Sequence, residues 1–323
     1  MEPALLERAV RILRDGGLVA FPTETVYGLG ADASNPGAVR GIFEAKGRPA
    51  GHPLIVHLAR EDQLEQWASE IPPVARQLAG RFWPGPMTLI LRRHSRVLDA
   101  VTGGQDTVGL RIPSHPIAQE LLRAFGGGIA APSANRFGHV SPTMAEHVRE
   151  ELGDSVDLIL DGGACEVGIE STIIDCSRGV PVILRPGKIT EDDIRAAAGV
   201  APALPAYRAP RVSGSLASHY APSTPVVLVG SDELDNVVQS APGPVAVLAR
   251  RTKPKGWERG TWCEAATDPS RYAHDLYSNL RELDHLACST IVVEDVPATV
   301  AWRAVADRLK RAAGQGSDLP DGG

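Results

Sequence analysis

Leu5, Leu6, Val10 and Leu13 recur at helical spacing until Gly16-Gly17 ends the run, which predicts an amphipathic first helix. A strand is expected next, from Leu18 to Phe21. Asn35-Pro36 reads as an N-cap with proline in the first turn, and Val39, Ile42 and Phe43 form the buried face of a helix ending near Lys46. Apolar runs of strand length follow at 54–58, 87–91, 108–112, 129–131, 158–160, 172–174 and 182–184, many of them closed by Gly, Pro or Asp. Helical patterns at 74–82, 117–125 and 144–152 separate only some of these runs. The pattern therefore predicts an α/β domain with a mixed sheet rather than a strictly alternating parallel one.

After a helix at 191–198 the pattern changes. From Gly199 to Pro225 the chain is rich in Ala, Pro and Ser, with Arg208 and Arg211 as isolated charges, and reads as an extended linker. Strands at 226–229, 245–248 and 291–293, with helices at 233–239, 269–286 and 300–312, then predict a small three-layer α/β domain. The expected division is a first domain over 1–198, a linker over 199–224, a second domain over 225–314 and a frayed tail over 315–323.

Composition narrows the functional classes. The 323 residues, 43% hydrophobic and 22% charged, are ordinary for a globular protein of about two domains. A net charge of −6 argues against coating nucleic acid by bulk electrostatics, so any anion site must be local. The four cysteines, at 165, 176, 263 and 288, lack both zinc-site spacing and disulfide density, which suits a reducing cytoplasm. Glu2, Glu7 and Asp15 interrupt the first apolar stretch, so it does not read as a signal peptide, and no segment reads as a membrane span.

Candidate chemistry gathers at the predicted strand ends. Pro22-Thr23-Glu24-Thr25-Val26-Tyr27-Gly28-Leu29-Gly30 sets hydroxyls and a carboxylate after the first strand, in what reads as a strand end followed by a turn. Gly28-Leu29-Gly30-Ala31-Asp32-Ala33 imitates a dinucleotide-binding fingerprint, but the helix begins only at Pro36 and Glu44 falls inside it, so that reading is set aside. Lys46 and Arg48 converge on a turn at a helix C-terminus, where they serve either the macrodipole or phosphate oxygens. Arg111 on a strand must be turned to solvent or paired with an anion. Ser133, Asn135, Ser141, Ser171 and Arg185 add hydroxyls, an amide and another cation at the ends of neighbouring runs. No catalytic triad and no phosphate-binding P-loop is legible, so the inventory suits an enzyme that positions a carboxylate and a polyphosphate.

The ordered segments PTETVYGLGA from Pro22, FEAKGRP from Phe43, FWPGPMTLIL from Phe82, VGLRIPSHP from Val108, APSAN from Ala131, GIESTIID from Gly168 and ILRPG from Ile183 resemble the YrdC-type threonylcarbamoyl-AMP synthases. Ser218-His219-Tyr220-Ala221-Pro222, followed by a small α/β domain, resembles the two-domain form of that family, although Ser213-Gly214-Ser215-Leu216 stands where the family often has Ser-Pro-Gly-Met. The resemblance implies a YrdC-like twisted mixed sheet with a concave, positively charged face, joined by the linker to a small Rossmann-like domain. It implies L-threonine contacts at Thr23, Arg111, Ser171 and Ala131, with His57 as a further candidate. It assigns ATP contacts to Lys46, Arg48, Thr107, Ser133, Asn135, Ser141, Arg185 and Tyr220, with Lys46 and Arg48 as the catalytic cations.

The implied reaction joins L-threonine, bicarbonate and ATP into threonylcarbamoyl-AMP and pyrophosphate, with Mg²⁺ arriving on the triphosphate and no metal ligand named by the sequence. A downstream transferase complex would place the group on adenosine 37 of tRNA, without direct stable tRNA binding by this chain. Two rivals share parts of the inventory: an RNA-binding module using the same cations without chemistry, and a related carbamoyltransferase. Because neither cation reads as core packing, Lys46→Ala and Arg111→Ala are expected to reduce turnover far more than folding stability.

Overall fold

The computed structural model describes residues 1–203, 209–214, 216, 218–286 and 288–315. Arg208, Ser215 and the expected tail beyond Gln315 lie outside them. The described chain forms two compact units, one from Met1–Phe137 and residues 141–214, the other from Gly138–Val140 and residue 216 onward.

In the first unit the elements run α1 (Pro3–Arg14), β1 (Val19–Phe21), β2 (Gly28–Asp32), α2 (Pro36–Lys46), β3 (Ile55–His57), α3 (Leu64–Trp67), β4 (Ala68–Glu70), α4 (Pro73–Phe82), β5 (Met87–Arg93), α5 (Asp99–Thr102), β6 (Thr107–Arg111), α6 (Pro116–Phe125), β7 (Ile129–Ala130), α7 (Ala145–Leu152), β8 (Leu158–Ile159), β9 (Thr172–Asp175), β10 (Val182–Arg185) and α8 (Glu191–Ala198). The strands make one mixed sheet in the order β10-β9-β5-β6-β3-β7-β2-β1-β8, with β4 on β5. The N-cap at Asn35 forms as expected: its Oδ1 accepts from Gly37 N at 2.9 Å and Ala38 N at 3.2 Å. Gly47, at φ +61°, closes the same helix.

The segment expected to be a turn after Phe21 contains a second strand, β2, antiparallel to β1 with Phe21 opposite Gly28. Its glycines disguise it in the sequence, yet packing requires them. A Cβ on Gly30 would stand 2.8 Å from the Phe21 ring and 2.9 Å from Ile129 Cγ2.

Alternation along the strands divides the sheet into two faces. Val56, Leu89, Leu91, Val108, Leu110 and Ile174 point into the main core with Val39, Ile42, Leu78 and Ile194 of the helices. On the other face α1 and α6 cover β1 and β7, where Val10, Leu13, Leu121 and Leu122 meet Val19, Phe21 and Ile129. Over β3, β5, β9 and β10 the cover is different. Ile90, Ile173 and Leu184 are buried by Val212 of the expected linker, with Ile55 and Ala209 packed alongside. Arg211 ties that segment down: its N donates to Gln105 Oε1 at 2.7 Å, its carbonyl accepts from Gln105 Nε2 at 3.1 Å, and its Nη2 reaches Gly103 O at 2.9 Å. Residues 209–214 are therefore a strap on the first unit rather than a free tether.

The second unit has β11 (Val226–Val229), α9 (Leu234–Ser240), β12 (Val245–Ala249), β13 (Gly260–Glu264), α10 (Pro269–Asp284), β14 (Thr290–Glu294) and α11 (Arg303–Ala312). Its strands are all parallel in the order β11-β14-β12-β13. Leu234 and Val238 of α9 pack on Val245, Val247 and Val292, while α10 and α11 pack on each other and on β12 and β11. The unexpected strand β13 lies at the edge, so only Trp262 of its five residues is buried and no apolar run marks it.

Candidate active site

Four adjacent strands, β9, β5, β6 and β3, bring their ends to one edge of the sheet. β6 ends at Arg111, level with His57 at the end of the parallel strand β3. β5 runs antiparallel to β6 and parallel to β9, so Thr88, the second residue of β5, lies level with Arg111, and Ser171, just before β9, lies one strand further along. The Thr88 and Ser171 hydroxyls are bonded at 2.8 Å, both buried. By strand parity Thr107, Gly109 and Arg111 share the face opposite the main core.

Arg111 is not solvated. Its Nη2 donates to Glu24 Oε1 at 2.7 Å and its Nη1 to Thr25 Oγ1 at 2.9 Å, while the other Glu24 oxygen accepts Ser114 N at 3.0 Å. The anion required for a buried strand arginine is thus Glu24, from the loop between β1 and β2. Thr23 shapes that loop: its hydroxyl accepts from Thr25 N and Val26 N and donates to Val26 O at 2.6 Å.

A second cluster surrounds the end of α2. Lys46, 3% exposed, donates from Nζ to Ser133 O at 2.6 Å and to Asn135 O. Burial, with the charge of Arg48 as a smaller cause, holds its ammonium well below the usual 10.5. Arg48 donates from Nη2 to Pro53 O at 3.0 Å and to Ser213 Oγ at 3.2 Å. Arg185 grips Ser171 O through Nε and Nη2, at 3.2 and 2.9 Å, and reaches Ser213 O through Nη1 at 2.9 Å. Ser213 of the strap therefore touches two of the candidate phosphate cations, and Arg185 links them to the Arg111 edge through Ser171.

Of the remaining candidates, Ala131 is buried, with its N–H on Ile55 O at 2.9 Å, and Thr107 is buried opposite Arg92. Ser141 donates to Glu170 Oε1 at 2.6 Å, and Asn135 donates from Nδ2 to Arg136 O at 2.7 Å. Tyr220 belongs to the second unit; it is 1% exposed, has φ +61°, and stacks with His219, Tyr277 and the Arg308 guanidinium. Sequence reasoning missed Glu24 and Thr25 as partners of Arg111, Thr88 as the partner of Ser171, and Ser213. The one available signal was the requirement that Arg111 find an anion, with a carboxylate standing in the PTET segment.

One expectation needs correction. Neither Lys46 nor Arg111 was expected to be core packing, but both are buried and hydrogen-bonded, so changing either must also cost stability. Lys46, Arg48, Arg111 and Arg185, the cations of the expected concave, positively charged face, are all buried.

His57, buried against the Phe21 ring at 6.0 Å, has its pKa pushed from 6.5 down to about 3, chiefly by burial and then by the Arg111 charge. Between those values the unfolded chain binds a proton that the folded chain refuses, so stability must fall as pH drops from about 6.5 towards 3. His57→Gln is expected to flatten that part of a denaturant-measured stability profile; an unchanged slope would remove His57 as its cause. Among the described residues no group of three His, Cys, Asp or Glu is placed to hold a metal ion. No helix among them is long and apolar enough to cross a membrane.

The family described as "Telomere recombination" matches residues 11–187, and the one described as "Threonylcarbamoyl-AMP synthase, C-terminal domain" matches 189–314. The threonylcarbamoyl-AMP synthase of Pyrococcus abyssi is 41% identical, covering 95% of this chain and 93% of that protein. The chain belongs to the threonylcarbamoyl-AMP synthase family. The Bacillus subtilis member is likewise 41% identical, over 96% of this chain and 93% of its own length. The crystal structure of P. abyssi Sua5 complexed with L-threonine superposes with a TM-score of 0.88 at 39% identity, covering 96% of this chain and 94% of that one. The two-unit α/β fold is thus that of the threonylcarbamoyl-AMP synthases. Full-length HypF, at 20% identity and a TM-score of 0.51, covers 59% of this chain and 31% of that one and shares the fold alone over that part.

Proposed function

We propose that this chain forms L-threonylcarbamoyl-AMP from L-threonine, bicarbonate and ATP, as a nucleotidyltransferase. The single observation that carries this reading is the set of buried cations: Arg111 on one side and, on the other, Arg185 and Arg48, which both donate to Ser213 while Arg185 also holds Ser171. It suits a carboxylate at one end and a triphosphate at the other. Arg111, Thr23, Ser171 and Ala131 receive threonine, with His57 beside them as a neutral group. Lys46, Arg48, Thr107, Ser133, Asn135, Ser141 and Arg185 receive ATP, and Tyr220 is assigned to the nucleotide on family resemblance.

The threonine amine adds to bicarbonate carbon with loss of water, giving a carbamate. A carbamate oxygen then attacks the α-phosphorus; the bond to the bridging oxygen breaks and pyrophosphate leaves with the electron pair. Lys46, Arg48 and Arg185 oppose the charge that gathers on phosphate oxygens, in a site where fixed groups need no reorganisation. The Glu24 oxygens are bonded to Arg111 and Ser114, and one Glu170 oxygen to Ser141, so these carboxylates do not fit a protein-held metal. Mg²⁺ enters as part of the Mg·ATP substrate. The product would pass, in the cytoplasm, to a transferase complex acting on adenosine 37 of tRNA.

The test is pyrophosphate release by the purified chain with Mg·ATP, with L-threonine and bicarbonate each omitted in turn and the adenylate identified by mass. Release that needs all three substrates supports the reaction; a folded protein that binds ATP but releases nothing would overturn it.

A further inference from the structure

Glu24 has no substrate-contacting role in the reading above, yet it controls the charge of the group proposed to hold the threonine carboxylate. The two side chains of the Arg111–Glu24 pair are each only 5% exposed, with Nη2 and Oε1 2.7 Å apart. Thr25 and Ser114 hold the pair in place, at 2.9 Å to Nη1 and 3.0 Å to Oε2, while Arg111 Nε is buried without an acceptor. Of the titratable neighbours, half-buried His115 feels the Glu24 charge but has its pKa lowered from 6.5, chiefly by burial, and two others add no charge. His57 stays neutral, its pKa pushed to about 3, and the Cys165 thiol stays protonated, pushed to about 12 by burial first and Glu24 second.

The buried pair is therefore neutral as a unit. Adding a bare carboxylate would give a net buried charge of about −1, whereas adding a zwitterion leaves the total near zero. Without Glu24 that preference shrinks, because Arg111 alone is neutralised by a simple carboxylate. We infer that Glu24 is a specificity-determining residue that makes this site prefer an α-ammonium carboxylate over the same acid lacking its amine. The inference rests on the threonine reading of Arg111 given above.

The experiment is calorimetric binding to the full chain of L-threonine and of 3-hydroxybutanoate, which is threonine without its amine. In Glu24→Gln the preference for threonine should shrink about tenfold or more, mainly through tighter 3-hydroxybutanoate binding. Glu24→Asp, which keeps the charge, should keep the preference even if both affinities change. In the wild type, threonine affinity should fall as pH passes through titration of its own ammonium while 3-hydroxybutanoate affinity stays flat, a readout that needs no variant to fold. Equal weakening of both ligands in Glu24→Gln would reduce Glu24 to a scaffold for Arg111, and parallel pH profiles for the two ligands would also overturn the inference. Failure of the wild type to bind threonine at all would instead overturn the threonine reading, and this inference with it.

Discussion

Arg111→Ala will reduce threonine-dependent pyrophosphate release by roughly 10²–10³-fold, the cost typical of removing one preorganised electrostatic group. It will also lower the melting temperature, because it leaves Glu24 charged, 4% exposed and without its guanidinium. Breaking a buried pair on one side costs about 3–5 kcal/mol. The two effects separate in the double variant Arg111→Met with Glu24→Gln. Removing both charges should recover most of the lost stability, since no uncompensated ion remains, while turnover stays low. A double variant as unstable as Arg111→Ala would mean that the pair is not the source of the loss. Near-wild-type release in Arg111→Ala would remove Arg111 from the site.

Lys46→Met carries the second large effect. The apolar stem of Lys46 is replaced at similar length, but Ser133 O and Asn135 O lose their donor. Orphaning buried carbonyls costs about 1–3 kcal/mol, moderated here because the buried ammonium was itself expensive to desolvate. Turnover should fall about 10²–10³-fold, from loss of the cation proposed to hold phosphate and from loosening of the loop that presents Ser133 and Asn135. Melting temperature, turnover and the KM for ATP, measured together, check this. A fall in stability with unchanged KM and turnover would leave Lys46 as a strut for the 133–135 loop and nothing more.

Helices were legible where a stripe and a stop coincided, as in the run from Leu5 to Gly16 and the one from Asn35 to Gly47, because capping and periodicity are local properties. Strands were legible where both faces are buried, as in Thr107–Arg111, all five of whose residues are inside. Three strands escaped, Gly28–Asp32, Ala68–Glu70 and Gly260–Glu264, for two opposite reasons. The first needs glycine to accept the Phe21 ring, and each of the others has a single buried residue.

The candidate site divides along the same line. The residue types needed to hold anions, and their order along the chain, belong to the sequence, as does the rule that a buried Arg111 must find a negative partner. That the partner is Glu24, 87 residues away, depends on β1, β2 and β6 being brought together, since nothing local links the two positions. The strap is the other decision of the folded state. Ala, Pro and Ser around Val212 read as a tether because a single buried valine has no periodicity, and only the sheet face carrying Ile90, Ile173 and Leu184 gives it something to cover. Local chemistry names the groups; long-range pairing of charges and apolar surface, which no window of sequence contains, decides which of them are buried and what they hold.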